Sequence, residues 1–236
     1  MNQRTVVILQ PGYLPWLGFF EQLYRSDIFV IYDDVQYDKH GWRNRNRIKT
    51  PQGWQWLTVP ILTSGQNKPS NKEVLIDNSL NWRTKHLMSI RQNYSKSPFF
   101  DAYFGSLDAI YNHEWKYLID VDVTVIRQIA DHMGIKAKFD FASALGISGG
   151  KTERLALICE HLNATAFYEG KAGENYLEAS YFTDRGIQLI YQNYQHPIYE
   201  QLYGDFMPYM SIIDLLFNHG PDSLAILSGT KQVQTL

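Results

Sequence analysis

Four stretches of the 236-residue chain combine residue types that bind or activate small molecules. The first is Gln10-Pro11-Gly12-Tyr13-Leu14-Pro15-Trp16. Its prolines stiffen a turn, Gly12 lets a ligand approach the main chain, and Gln10, Tyr13 and Trp16 offer a polar and aromatic wall. The second is Asp33-Asp34 with Gln36 and Tyr37. Adjacent carboxylates there could hold Mg²⁺, a sugar amine or a ribose hydroxyl, or one could cap the following turn. Adjacency alone is not a metal signature. The third is Arg43, Arg45, Arg47 and Lys49, whose spacing of two puts them on one face of a strand. Such a row of cations suits phosphate or carboxylate, or a solvated face that guards a strand edge. The fourth is Ser148-Gly149-Gly150-Lys151-Thr152. Ser148 reads as a helix N-cap, and Gly150, Lys151 and Thr152 could meet an anion at the helix start. A Walker A loop needs glycine where this chain has Leu145, which excludes a P-loop NTPase.

Single residues add to these. His196 lies between Tyr194 and Tyr199 and could act as a general base near neutral pH, or be a hydrogen-bonded structural residue. Asp214 stands among Ile212, Ile213, Leu215 and Leu216, where a carboxylate needs a specific partner. Cys159, the only cysteine, reads as a buried structural thiol. The segment Glu169-Gly170-Lys171-Ala172-Gly173 reads as a flexible polar loop after a strand. One cysteine excludes a cysteine-rich zinc site, and no Ser-His-Asp order, G-x-S-x-G or H-E-x-x-H occurs.

Regular elements must position these groups. Apolar runs at 6–9 and 28–32 read as buried strands, with a helix between them from Leu17, Phe20 and Tyr24. A βαβ unit makes the strands parallel, so Gln10 and Asp33 should emerge at the same carboxyl edge, where open α/β sheets bind ligands. Residues 43–62 read as a hairpin turning at 50–53, and 64–71 as a mobile surface loop. Helical faces run through Leu80, Leu87, Ile90 and Tyr94, and from Leu118 to Met133 with Gly134 as the stop. Further on come a helix at 151–162, a strand at 166–168 and a short helix near 176–182. A strand at 187–191 and a helix at 211–218 precede a frayed tail from Thr230. The expectation is an α/β fold, with an open, mostly parallel sheet, flanking helices and an antiparallel hairpin. It forms a single domain over 1–236, with a helical insertion at about 79–133.

Composition narrows the classes. The chain is 44% hydrophobic and 19% charged, enough for a sizeable core without metal or disulfide. A net charge of −2 gives no global field for nucleic acid or anionic membrane, so any anion site is local. The start reads as lacking a signal peptide and no run matches a membrane span, which with one cysteine points to the cytoplasm.

The stretch QPGYLPWLGFFEQLYRSDIFVIYDDVQYDKHGWRNRNRIKT resembles the opening of WbqC-like proteins. GGKTERLALIC, FYEGKAGENYL, HPIYEQ and SIIDLLFNHG extend the likeness over residues 5–229. Such proteins occur in gene clusters for O-antigens and other surface glycans. The resemblance implies transfer of an acyl or aminoacyl group, such as glycyl, to the amine of a nucleotide-linked sugar. Gln10, Tyr13, Trp16, Tyr37 and Tyr199 would then shape the site. Asp33 or Asp34 would orient or deprotonate the amine, and Arg43, Arg45, Gly150, Lys151 and Thr152 would bind phosphates or a carboxylate. His196 would be the reserve base. Two alternatives stand beside it: a non-catalytic nucleotide-sugar binder or partner subunit, and a transferase using aminoacyl-tRNA bound by the cationic stripe. The first βαβ unit also resembles pantothenate synthetase and nucleotidylyltransferases, whose helix opens H-x-G-H. Here that position reads Trp16-Leu17-Gly18-Phe19. The glycine matches and both histidines are missing, which implies a related nucleotide-binding fold but puts histidine-based adenylyl transfer in doubt.

Overall fold

Val6, Val7 and Ile8 are apolar on both sides of the strand, the pattern of a strand covered on both faces. They form the middle of β1 (Thr5–Leu9), which leads through helix α1 (Leu17–Arg25) to β2 (Ile28–Ile31). The computed structural model describes residues 3–62, 68–231 and 234–235. After β2 comes the hairpin β3 (Arg45–Thr50) and β4 (Gly53–Thr58), then helices α2 (Trp82–Tyr94), α3 (Phe100–Asn112) and α4 (Leu118–Met133). Strand β5 (Lys138–Phe141) and short helix α5 (Ala142–Leu145) precede α6 (Lys151–His161), β6 (Ala166–Glu169), α7 (Ser180–Thr183) and β7 (Gln188–Tyr191). Helices α8 (Ile212–His219) and α9 (Ser223–Leu227) follow.

The sheet order is β5-β2-β1-β6-β7, and every pairing is parallel; β3 and β4 form a separate antiparallel pair. Val7, Leu9, Phe29 and Ile31 pack on the side of α1, α4 and α8. Val6, Ile8, Val30 and Phe167 face the other way, onto Leu155, Ile158 and Cys159 of α6 and Phe182 of α7. The period of two along each strand thus feeds two cores. From β1 the chain moves outward through β2 to β5, then returns to place β6 on the opposite flank of β1. The strand order therefore reverses between β1 and β6, the place where open α/β sheets leave a crevice.

The α/β class, the parallel β1–β2 pair, the hairpin and the Gly134 stop, at φ 74°, are as the sequence predicts. Several local features differ. Helix α3 lies within the helical insertion expected at about 79–133, where the sequence marks no separate helix; Phe100, Phe104, Leu107 and Tyr111 bury one helical stripe. Gly150 caps α6 instead of Ser148, and Glu153 reaches back to the Gly150 N–H at 3.3 Å. The region 176–182 is helical only from Ser180, and a 3-10 turn precedes it at Lys171–Asn175. Residues 64–67 of the expected loop lie outside the described residues; its end is anchored, because Ser70 donates from its N–H and hydroxyl to Glu73 and bridges Gln36. The tail expected to fray returns to the body where Thr235 bridges Pro197. Among the described residues, no helix is long and apolar enough to cross a membrane.

Candidate functional site

The turn after β1 is strapped down by the start of the hairpin. The Tyr13 N–H donates to the Arg43 carbonyl at 2.9 Å, and the Asn46 amide donates to the Leu14 carbonyl at 2.8 Å. Leu14 takes φ 44°, a strained value for a leucine that this strap and complete burial hold in place. A Cβ on Gly12 would lie 3.1 Å from the Trp42 carbonyl, so that glycine first serves the approach of the hairpin's own main chain. Tyr13, expected on a pocket wall, is fully buried. Its hydroxyl bonds to Tyr111 and, at 2.8 Å, to Nδ1 of His86, tying the turn to α2 and α3. Burial pushes His86 down to about 4, which keeps it neutral beside that hydroxyl.

Above this turn is a cavity of about 480 Å³, within the size range of small-molecule sites. Leu9 and Phe19 give it an apolar base, and Trp16, Trp42 and Tyr209 aromatic walls. Gln22, Arg43, Asn46 and Arg47 supply its polar groups. Trp16 is fixed by tilted and stacked contacts with Tyr209 at 5.7 Å and His196 at 6.3 Å. Its indole lies over Gly18, where any Cβ would collide with the ring.

The cationic stripe is held by indoles. The Arg45 guanidinium lies 4.8 Å from the Trp56 ring centre, and Arg47 lies 4.8 Å from Trp42 and 5.2 Å from Trp54. Cation–π contact offsets the repulsion between neighbouring charges. Arg43 donates to the carbonyls of Gln10 at 3.3 Å and Pro11 at 3.5 Å. Lys49 departs from the expected row: it is 1% exposed, and its amine donates to Gln201 and to the Asp205 carbonyl. The stripe is therefore not one continuous exposed surface, because its far end is folded into the core.

Among the described residues, three buried atoms of the cavity residues have no protein partner: Nε of Arg43, Nε of Arg47 and Oε1 of Gln22. Gln22 is only 6% exposed. Burial also lowers both Arg43 and Arg47, which an anion alongside would reverse. Buried polar groups are nearly always paired, so three orphans around one cavity mark a place for a ligand.

The profile of the WbqC-like protein family matches residues 10–226. The chain belongs to the WbqC-like family. The matched segment opens on Gln10 and includes every cavity residue except Leu9. The chain is also 36% identical over 231 residues to the uncharacterized protein Rv1507c of Mycobacterium tuberculosis, covering 97% of this chain and 100% of that one. No solved structure matches.

Of the expected site residues, this WbqC-like chain brings Trp16 and Arg43 together in the cavity, while Gln10 supports it through its carbonyl. Arg45 lies alongside on Trp56 without lining it. Asp33 and Asp34 diverge. Asp33 is buried and accepts from the N–H of Ser143 at 2.9 Å and from its hydroxyl, tying β2 to α5. Asp34 accepts two bonds from Arg154, at 2.9 and 2.6 Å. All four carboxylate oxygens are thus engaged by protein donors. Among the described residues no group of three or more His, Cys, Asp or Glu could hold a metal.

Tyr37 is buried, and burial raises its hydroxyl to about 12. Gly150 and Lys151 are exposed at the start of α6, whereas Thr152 is buried. Beside them Asp34, Arg154 and residues 146–149 line a separate hollow of about 380 Å³. Tyr199 is buried and donates to Asp214. His196, expected as a reserve base, has both ring nitrogens in use. Nδ1 donates to the Pro197 carbonyl at 2.8 Å, leaving Nε2 to accept from the Tyr209 N–H at 3.3 Å. Burial lowers its pKa, and its ring packs against Trp16 and Tyr209. Cys159 is buried with its thiol pushed up, a structural group. Sequence reasoning missed Gln22, Asn46, Trp42 and Tyr209. Gln22 carried a signal, an amide one helical turn after the apolar Phe19 on a helix that follows a binding turn.

Proposed function

We propose that the cavity binds a nucleotide-linked amino sugar, and that the protein serves transfer of an acyl or aminoacyl group to the sugar amine in surface-polysaccharide synthesis. The observation that carries this reading is the pairing of two partly unsatisfied guanidinium groups with indole walls in one cavity at the carboxyl end of β1. A planar base stacks on tryptophan, and a diphosphate uses paired arginines as charge-assisted donors. Gln22 and Asn46 can read a base edge or sugar hydroxyls. Membership of the WbqC-like family supports the placement of this ligand in glycan synthesis.

One observation favours a non-catalytic binder as the second reading. Among the described residues, the cavity lining holds no carboxylate, histidine or cysteine. Calorimetric titration with UDP- and dTDP-linked amino sugars, ATP and a transfer RNA at low and moderate salt tests the first step. Binding of a nucleotide sugar that Arg43→Ala and Arg47→Ala weaken supports the cavity reading; failure of every nucleotide sugar to bind overturns it. Adding an activated acyl donor and following the sugar by mass spectrometry then separates transferase from binder.

A further inference from the structure

The carboxyl edge of the sheet has a second polar face. Strand β6 pairs β1 at Val6↔Phe167 and β7 at Glu169↔Tyr191, while Leu9 pairs Ile31. Val6, Ile8, Val30 and Phe167 all face α6. Two residues on, Gln10, Tyr32, Glu169 and Tyr191 continue on that same face. The switch point between β1 and β6 therefore presents an aromatic and acidic row opposite the aromatic and cationic cavity.

Glu169 is the unusual member. It is 8% exposed, yet no ion pair among the described residues includes it. Among the described residues its carboxylate accepts one hydrogen bond, from the neighbouring Gly170 N–H at 2.9 Å. The turn Lys171–Asn175 folds closely over it: a Cβ on Gly173 would strike the Glu169 side chain and approach Tyr191. Tyr176 is 57% exposed, and its hydroxyl is raised first by desolvation and then by Glu169, Tyr191 and Tyr32 nearby. A buried carboxylate without a cation is unfavourable, and burial pushes Glu169 up to about 7. The next residue adjoins the first cavity, since a Cβ on Gly170 would lie 3.7 Å from the Gln22 amide.

We propose that Glu169, with Tyr176 and Tyr191 beside it, is an amine-recognition subsite that receives the ammonium of a hydroxylated ring. The carboxylate supplies the counter-charge, and the tyrosines supply ring faces and hydroxyls. The identity of that ring as the sugar of a nucleotide-linked ligand rests on the reading of the cavity above.

The test is calorimetry at pH 7.5 with UDP, a UDP-linked 2-amino-hexose and its N-acetylated counterpart. The wild type should prefer the free amine over the N-acetyl form by about tenfold or more. Glu169→Gln, nearly isosteric, should keep its UDP affinity and lose that preference to within about twofold. Tyr176→Ala, at an exposed position, should weaken the amino sugar and leave UDP unchanged. An undiminished amine preference in Glu169→Gln, or none in a wild type that binds UDP, overturns the subsite. If neither UDP nor its sugars bind the wild type, the cavity reading falls separately. Free 2-amino-hexose followed by NMR then decides the subsite: shifts in the wild type but not in Glu169→Gln sustain it, and equal shifts or none overturn it.

Discussion

Asp214 and Glu169 are both buried carboxylates, and the polypeptide surrounds them in opposite ways. Asp214, fully buried, accepts the hydroxyls of Tyr94 and Tyr199 at 2.9 Å each and the Gln201 amide at 2.7 Å. The Lys49 amine, itself bonded to Gln201, adds an opposite charge nearby. Among the described residues, the Glu169 carboxylate receives one N–H from its own neighbour and no cation. The same contrast separates the α8 region from the cavity beside β1, where Arg43, Arg47 and Gln22 retain unpaired atoms. A saturated buried network holds elements together, whereas open donors and acceptors at a strand edge await a ligand.

The largest expected effect is on the saturated side. Asp214→Ala removes the acceptor for two tyrosines, Gln201 and the counter-charge of Lys49, and should cost about 3–5 kcal/mol in urea unfolding. A loss near 1 kcal/mol would erase the contrast. The open side should respond with the opposite sign. Glu169, raised from 4.5 to about 7, is protonated when folded and ionised when unfolded across that interval. Its favourable contribution is therefore complete below pH 4.5 and lost as pH rises through 7. Glu169→Gln should be more stable than the wild type by up to about 3 kcal/mol at pH 8, with the gap closing by pH 4. Parallel denaturation curves at the two pH values check this.

Smaller effects sharpen the cavity. Arg43→Ala should lower affinity for a UDP-linked sugar about tenfold to hundredfold, the worth of one charge-assisted bond. Unfolding by heat should move far less than affinity does. Lys151→Ala, at an exposed position outside the cavity, should leave stability within about 0.5 kcal/mol and leave binding unchanged in the same titration.

The fold was legible where neighbours decide it. Apolar runs at β1, β2 and β6, the turn before β4 and the glycine after α4 follow from local backbone and side-chain preferences. Helix α3 fell inside the expected helical insertion, but its bounds were not legible, because its aromatic and small residues have no strong stop or start signal around them. The site was half legible. The Gln10 turn and the Arg43–Arg47 row lie at the cavity, but Gln22 and Tyr209 reach it from other elements.

By itself the sequence determined which residues are chemically able, which strands carry them to a common edge, and the family to which the chain belongs. Tertiary structure alone decided which of those groups are still available. Asp33 is capped by Ser143, 110 positions away, and Asp34 by Arg154, 120 positions away. His196 is consumed by local main chain, and Lys49 by a loop 156 positions distant. Glu169, at the end of β6, meets no such partner among the described residues. Pairing of a buried polar group depends on what the whole chain brings within about 3 Å, and no local pattern encodes that.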